Sequence, residues 1–125
     1  MATPNKKEPL ISVVIPTYRR SDLVRRAVQS VLRQTYTSFE IIVVIDGMDD
    51  GTRDCLDQLG DSRIRVLETG RNQGPAEARN YGVRHATGDY VALLDDDDEW
   101  TKQKLERQLS LLQKLGLAGR DFLIS

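Results

Sequence analysis

Cysteine is almost missing from this chain of 125 residues. Cys55 stands alone, which excludes an internal disulfide and a cysteine-based metal cluster and reads as a small buried hydrophobe on a helix. Histidine is as scarce. His85 is the only one and sits among polar residues near a helix end, the setting of a surface or dipole-compensating group rather than a base. Net charge is also lacking: 18 basic against 19 acidic residues leave -1, so composition gives no electrostatic footprint for a nucleic-acid partner. No apolar run approaches the roughly 20 residues of a membrane helix, and no signal-peptide core opens the chain, so a soluble, cytoplasmic location is expected. Glycine is absent from "PTYRR" (16–20), which follows the first apolar segment. A dinucleotide-binding oxidoreductase would need a glycine-rich turn there, and a phosphorylation-receiver domain would need an acidic pair. Both classes are set aside.

What is present is a repeated alternation of strand and helix. "LISVVIP" (10–16) is a β-branched apolar run ending at proline, as a strand buried on both faces reads. Leu23, Val24, Ala27, Val28, Val31 and Leu32 form one stripe of a helix reaching about Gln34. "FEIIVVID" (39–46) repeats the buried-strand pattern, and "GMDDGT" turns into a short helix with Cys55, Leu56 and Leu59 on one side. "RIRVLE" (63–68) alternates charged and apolar residues, as a strand near a sheet edge does. The glycine-rich "GRNQGPAEARNYGVRHATG" predicts a third helix, with Pro75 in its first turn and Gly88 as its stop. "DYVALLD" predicts a fourth strand. Thr101 is placed to cap a last helix whose leucines 105, 109, 112 and 115 share a stripe and which Gly116 ends. "DFLIS" would begin a fifth strand. Residues 1–9 read as a flexible lead-in and 10–125 as one domain.

This pattern predicts an α/β fold with an open, mostly parallel, Rossmann-like sheet and helices on both faces. Such sheets bind ligands outside the carboxyl ends of their strands, near a reversal in strand order. "PTYRR" follows the first strand, Asp46 ends the second and Asp95 to Asp98 end the fourth, so three polar clusters share one rim. Four adjacent carboxylates repel one another unless something fills the space between them. A hard divalent cation does so, taking one or two carboxylates and completing its shell with water and phosphate oxygens. In an extended segment Asp95 and Asp97 would face one way and Asp96 and Asp98 the other. Tyr18 has the aromatic face to stack on a base, Asp46 is an acceptor for an imide N–H as well as an ordinary turn residue, and Arg71 and Arg79 are candidates to pair with phosphate.

"ISVVIPTYRR", "SVLRQTY", "FEIIVVIDGMDDGT", "RNQGPAEARNYG" and "GDYVALLDDDDEW", taken together over about residues 10–100, resemble the nucleotide-sugar-binding half of family-2 inverting glycosyltransferases of GT-A fold. The resemblance implies transfer of a sugar from a nucleoside diphosphate to an acceptor hydroxyl with inversion, using Mn²⁺ or Mg²⁺. A UDP-sugar is the favoured donor and the acceptor is a glycan, a lipid or another hydroxyl compound. By position, Pro16, Thr17 and Tyr18 would lie along the nucleoside with Asp46 at the base. Asp95, Asp96 and Asp97 would form the DxD motif: Asp95 or Asp96 would meet the ribose, and Asp97, with Asp95, the metal. Arg79 joins the nucleotide-binding set. Ile45 stands where the family commonly has a first aspartate. No catalytic residue is assigned, because the general base is expected downstream of Ser125. The domain is therefore expected to be truncated before its acceptor region and inactive alone, with a nucleotide-sugar binding module lacking catalysis as the alternative. Peripheral membrane attachment of the full-length protein is left open.

Overall fold

Pattern and packing agree on a parallel sheet. The computed structural model describes residues 8–116 and 123–124, so positions 1–7 of the lead-in, and 121, 122 and 125 of "DFLIS", lie outside the described residues. In chain order the elements are β1 (Ile11–Thr17), α1 (Ser21–Leu32), β2 (Phe39–Ile45), α2 (Thr52–Asp57), β3 (Ile64–Glu68), α3 (Pro75–His85), β4 (Tyr90–Leu93), α4 (Lys104–Lys114) and β5 (Leu123–Ile124). The strands lie in the order β3-β2-β1-β4-β5 and every pairing is parallel. The uninterrupted apolar run of β1 is explained by its central place, where all seven residues are buried. The charged alternation of "RIRVLE" is explained by β3 at the edge, where every residue is half-buried.

Helices cover both faces. Val24, Val28 and Val31 of α1, Leu56 of α2 and Leu105 and Leu109 of α4 pack with Val13, Ile41 and Ala92 on one side of the sheet. Ala78 of α3 packs with Val14, Ile42, Val44 and Val91 on the other. The α4 stripe is shorter than its leucines suggest, since Leu112 is half-buried and Leu115 is 62% exposed beside Gly116, whose φ of 70° ends the helix.

Two termination signals act differently from their sequence reading. Thr101 does not cap α4, which starts three residues later. Its place is taken from outside by Gln34, whose Oε1 accepts the Leu105 N–H (3.0 Å) while its Nε2 donates to the Thr101 (2.6 Å) and Ser30 (3.2 Å) carbonyls. A buried amide thus ties the end of α1 to the start of α4. Gly88 does not stop α3, which ends at His85. It is glycine because the chain passes close to β1: a Cβ there would meet the Leu10 carbonyl oxygen and the Ser12 Oγ at 2.7 Å.

The same crossing creates a polar knot at the amino ends of the strands. Ser12 and Glu40 are register partners, and Glu40 accepts from Ser12 Oγ (2.6 Å), Thr87 N (2.8 Å), Thr87 Oγ1 (2.9 Å) and Arg65 Nη1 (3.1 Å). Burial alone would push this carboxyl up, but the hydrogen bonds from Ser12, Thr87 and Arg65 outweigh it and hold it below the ordinary glutamate value. A depressed folded pKa contributes stability above the unfolded pKa of about 4.3 and loses it as pH falls through the folded value. Glu40→Gln is accordingly expected to melt lower than the wild type at pH 7 and to lose less melting temperature between pH 7 and pH 4. Parallel melting curves across that window would contradict this.

Candidate nucleotide-binding site

The chain reverses its strand order between β1 and β4, and a cavity of about 470 Å³ opens at the carboxyl ends there. Pro16, Thr17, Tyr18, Asp46, Arg79, Asp95, Asp96 and Asp97, all named above from sequence, line this one cavity. Their convergence comes from four separate pieces of chain.

Pro16 and Thr17 close β1. Beyond them Arg19 has a φ of 52°, the left-handed region unusual for a residue with a side chain, and it is the one such non-glycine among the described residues. The sharp turn leaves Tyr18 42% exposed at the mouth, with the Arg19 guanidinium carbon 5.2 Å from its ring centroid, and brings Arg20 back to the cavity wall. Tyr18 is therefore an exposed ring at the cavity mouth, with Arg19 over it, and not a lid on the core.

Asp46 is buried just past β2 and already accepts two backbone N–H groups, Gln73 to Oδ1 (2.8 Å) and Gly74 to Oδ2 (2.9 Å). Gly74 (φ 97°) immediately precedes Pro75, the first residue of α3, so this carboxylate fixes the loop that starts the helix and sits at its positive end. Each carboxylate oxygen keeps a further lone pair for a ligand donor. Ile45, where the family commonly has a first aspartate, is buried in the sheet.

The acidic segment does not alternate as an extended strand would. β4 ends at Leu93, and a turn closed by the Asp98 N–H on the Asp95 carbonyl (3.1 Å) puts Asp95, Asp96 and Asp97 on the same cavity. Asp98 is left outside it. Asp96 is the buried member: its Oδ2 accepts from Thr17 Oγ1 (2.8 Å) and its Oδ1 from Arg20 Nη1 (3.2 Å). Arg20 Nη1 also lies 3.7 Å from Asp97 Oδ2, and Arg79 Nη2 donates to Asp95 Oδ1 at 3.3 Å. Two arginines thus offset the repulsion among three carboxylates. The segment is pinned beyond the turn, where the Trp100 N–H donates to Ser30 Oγ (3.1 Å) and the indole packs against the α1 side of the core.

Among the described residues no three carboxylate, histidine or cysteine side chains converge as a ready metal cage. Asp95 and Asp97, exposed on the wall, suit a different kind of site, in which a hard cation takes one or two carboxylates and receives its remaining oxygens from water and a phosphorylated ligand. Arg20, Asn72, Gly74, Pro75 and Ala78 also line the cavity, none of them named as a site residue from sequence. The "RNQGP" loop was a visible signal for three of them; which arginine of "PTYRR" turns inward depends on the Arg19 backbone. Arg71 lines an adjoining hollow of about 330 Å³ that shares Tyr18, Asp46 and Asn72 with the cavity. His85 lies in the last turn of α3, stacked on Tyr81, as a surface group. Cys55 is half-buried rather than buried.

A parallel sheet with a carboxylate-rimmed cavity at its switch point defines a Rossmann-like α/β domain with its ligand crevice at the carboxyl ends of the strands. Residues 12–119 match the model of glycosyl transferase family 2, and the chain belongs to that family. It is 44% identical over 113 residues to the putative teichuronic acid biosynthesis glycosyltransferase TuaG of Bacillus subtilis, covering 89% of this chain and 45% of that protein. It is 38% identical over 105 residues to the glucosyltransferase WfgD of Escherichia coli, described as UDP-Glc:alpha-D-GlcNAc-diphosphoundecaprenol beta-1,3-glucosyltransferase, covering 84% and 42%. The chain spans less than half the length of these relatives. Among solved structures, the mannosyltransferase PcManGT from Pyrobaculum calidifontis in complex with GDP-Man and Mn²⁺ superposes with a TM-score of 0.75 at 27% identity, covering 83% of this chain and 32% of that one, and S. aureus TarS 1-349 in complex with UDP-GlcNAc has the same score and identity, covering 83% and 31%. No helix among the described residues is long and apolar enough to cross a membrane.

Proposed function

We propose that this chain is the donor-binding portion of an inverting glycosyltransferase that moves a sugar from a nucleoside diphosphate, a UDP-sugar by preference, to an acceptor hydroxyl. The observation that carries the reading is the meeting of Thr17, Tyr18, Asp46, Arg79 and the three aspartates in one cavity at the switch point. In this reading Tyr18 stacks on the base beside Pro16 and Thr17, Asp46 accepts from it while holding the α3 loop, and Asp96 meets the ribose hydroxyls, oriented by Thr17. Asp97, with Asp95, holds Mn²⁺ or Mg²⁺, which supplies positive charge against the negative charge that builds on the departing diphosphate. Arg79 pairs with phosphate from the α3 side.

The carboxylates of this cavity are ligand-binding groups, two of them hydrogen-bonded to arginine, and none is assigned as general base. We place that base, and the acceptor site for a glycan, lipid or other hydroxyl, in chain beyond residue 125. The greater length of the relatives supports this division, with residues 10–125 as the donor domain and little transfer by it alone. The donors in complex with the structural neighbours, GDP-Man with Mn²⁺ and UDP-GlcNAc, support the substrate class, and a cytoplasmic location belongs to the same proposal.

A thermal screen of UDP, GDP and dTDP with and without Mn²⁺ tests it. A diphosphate at about 100 times its Kd stabilises by about 2.7 kcal/mol, a rise of roughly 10 °C for a chain of this size. The expected result is such a rise with UDP and Mn²⁺, reversed by EDTA; no shift with any of the three would refute the reading.

A further inference from the structure

Arg20 lies against the acidic turn, hydrogen-bonded to Asp96 and within ion-pair range of Asp97, one of the two carboxylates proposed for the cation. Its Nη1 lies 3.2 Å from Asp96 Oδ1 and 3.7 Å from Asp97 Oδ2, and all three residues line the same cavity. A guanidinium this close to Asp97 makes it a poorer metal ligand, since the two cations repel. The pair is also built to be released. Arg20 is 51% exposed and Asp97 59% exposed at the side chain, so their attraction is weakened by solvent and exchange is cheap. Asp96, 11% exposed, keeps its orientation when the arginine leaves, because Thr17 Oγ1 holds its other oxygen at 2.8 Å. The Arg20 backbone is anchored separately: its carbonyl accepts the Val24 N–H at 2.9 Å in the first turn of α1, so the guanidinium can swing without moving the chain. A planar fork of donors freed beside a pyrophosphate has an obvious new partner.

We propose that Arg20 is a resident counter-ion of the acidic turn: it offsets part of the charge of Asp96 and Asp97 before ligands bind and passes to the pyrophosphate when metal and nucleotide bind. This rests on the donor-site reading above and adds a consequence to it. Metal alone must displace Arg20 and binds weakly, whereas a diphosphate draws Arg20 away and raises metal affinity. By linkage the metal raises nucleotide affinity by the same factor. Arg20 is in this sense a positioning residue, acting through the aspartates.

The test is a titration of the 125-residue chain with Mn²⁺, followed by the electron paramagnetic resonance signal of free Mn²⁺, with and without UDP. In the wild type UDP is expected to tighten Mn²⁺ about tenfold or more. Arg20→Gln is expected to bind Mn²⁺ without UDP about two- to fivefold tighter than wild type, with a smaller enhancement by UDP. Arg20→Met, which keeps the aliphatic stem, should behave as Arg20→Gln and carries the same test if the glutamine variant folds poorly. Arg20→Lys, which restores a cation, should return Mn²⁺ affinity toward wild type. Arg19→Gln removes a charge one residue away that has no ion pair with the turn and should leave Mn²⁺ affinity nearly unchanged. If Arg20→Gln and Arg20→Met bind Mn²⁺ alone no tighter than wild type while UDP and Mn²⁺ still bind together, the counter-ion role is overturned and the donor site stands. Equal tightening by Arg19→Gln would also overturn it, reducing the effect to net charge. Failure of the wild type to bind Mn²⁺ and UDP at all would remove both.

Discussion

Gly82→Ala is expected to destabilise the fold by about 1–3 kcal/mol, lowering the melting temperature by roughly 4–15 °C. The usual rule points the other way, since alanine inside a helix is favoured over glycine by about 1 kcal/mol. Position decides the sign. Gly82 is buried in α3 one turn after Ala78, and a Cβ there would lie 2.4 Å from Val14 Cγ1 and 2.9 Å from Val44 Cγ2. Those valines are fully buried in strands β1 and β2 and pack in one cluster with Ile42, Ala78 and Val91, so neither can give way without disturbing the sheet. The helix would have to lift. Because α3 also carries Arg79 and begins at the loop held by Asp46, lifting it displaces one wall of the cavity, and nucleotide binding should fall together with stability. Calorimetric melting checks the first effect; a Gly82→Ala protein as stable as the wild type would show that α3 does not rest on the sheet at this point.

The parallel sheet was legible because burial on both faces leaves a mark that local sequence carries whole: "LISVVIP" and "FEIIVVID" hold no alternation, and they became β1 and β2 at the centre of the sheet. Periodicity likewise located α1, whose valines face the core. Helix ends were less legible. Thr101 and Gly88 carry local signals that a longer-range contact overrides, Gln34 reaching across from α1 in one case and the β1 backbone passing close in the other. Leu115 continues a stripe in sequence while the core ends one turn earlier.

At the candidate site, topology did most of the work. Strand ends of a parallel sheet share a rim, so placing "PTYRR", Asp46 and the aspartates on strand ends was enough to bring them together. What stayed hidden was direction. The alternation assumed for Asp95 to Asp98 holds only in extended chain, and the turn after Leu94 cancels it; the inward course of Arg20 follows from one left-handed residue, Arg19, that nothing in its side chain announces. The double hydrogen bond from Gln73 and Gly74 to Asp46 could not be read from an aspartate before a glycine.

The central claim is that Asp97 reaches a cation which in turn reaches a diphosphate. Asp97 is exposed on the cavity wall and its one ion-pair neighbour among the described residues, Arg20, lies at 3.7 Å, so replacing it with asparagine keeps shape and fold while removing the charge. A divalent cation holding few protein ligands depends on each of them; even the groups that merely orient a metal's ligands typically cost 10–100-fold in affinity when removed. The decisive measurement is calorimetric titration of UDP into wild type and Asp97→Asn at saturating Mn²⁺ and again in EDTA. The account predicts that the substitution weakens UDP at least about tenfold in Mn²⁺ and leaves the weak binding in EDTA nearly unchanged. Equal UDP affinity for the two proteins in Mn²⁺ would contradict it.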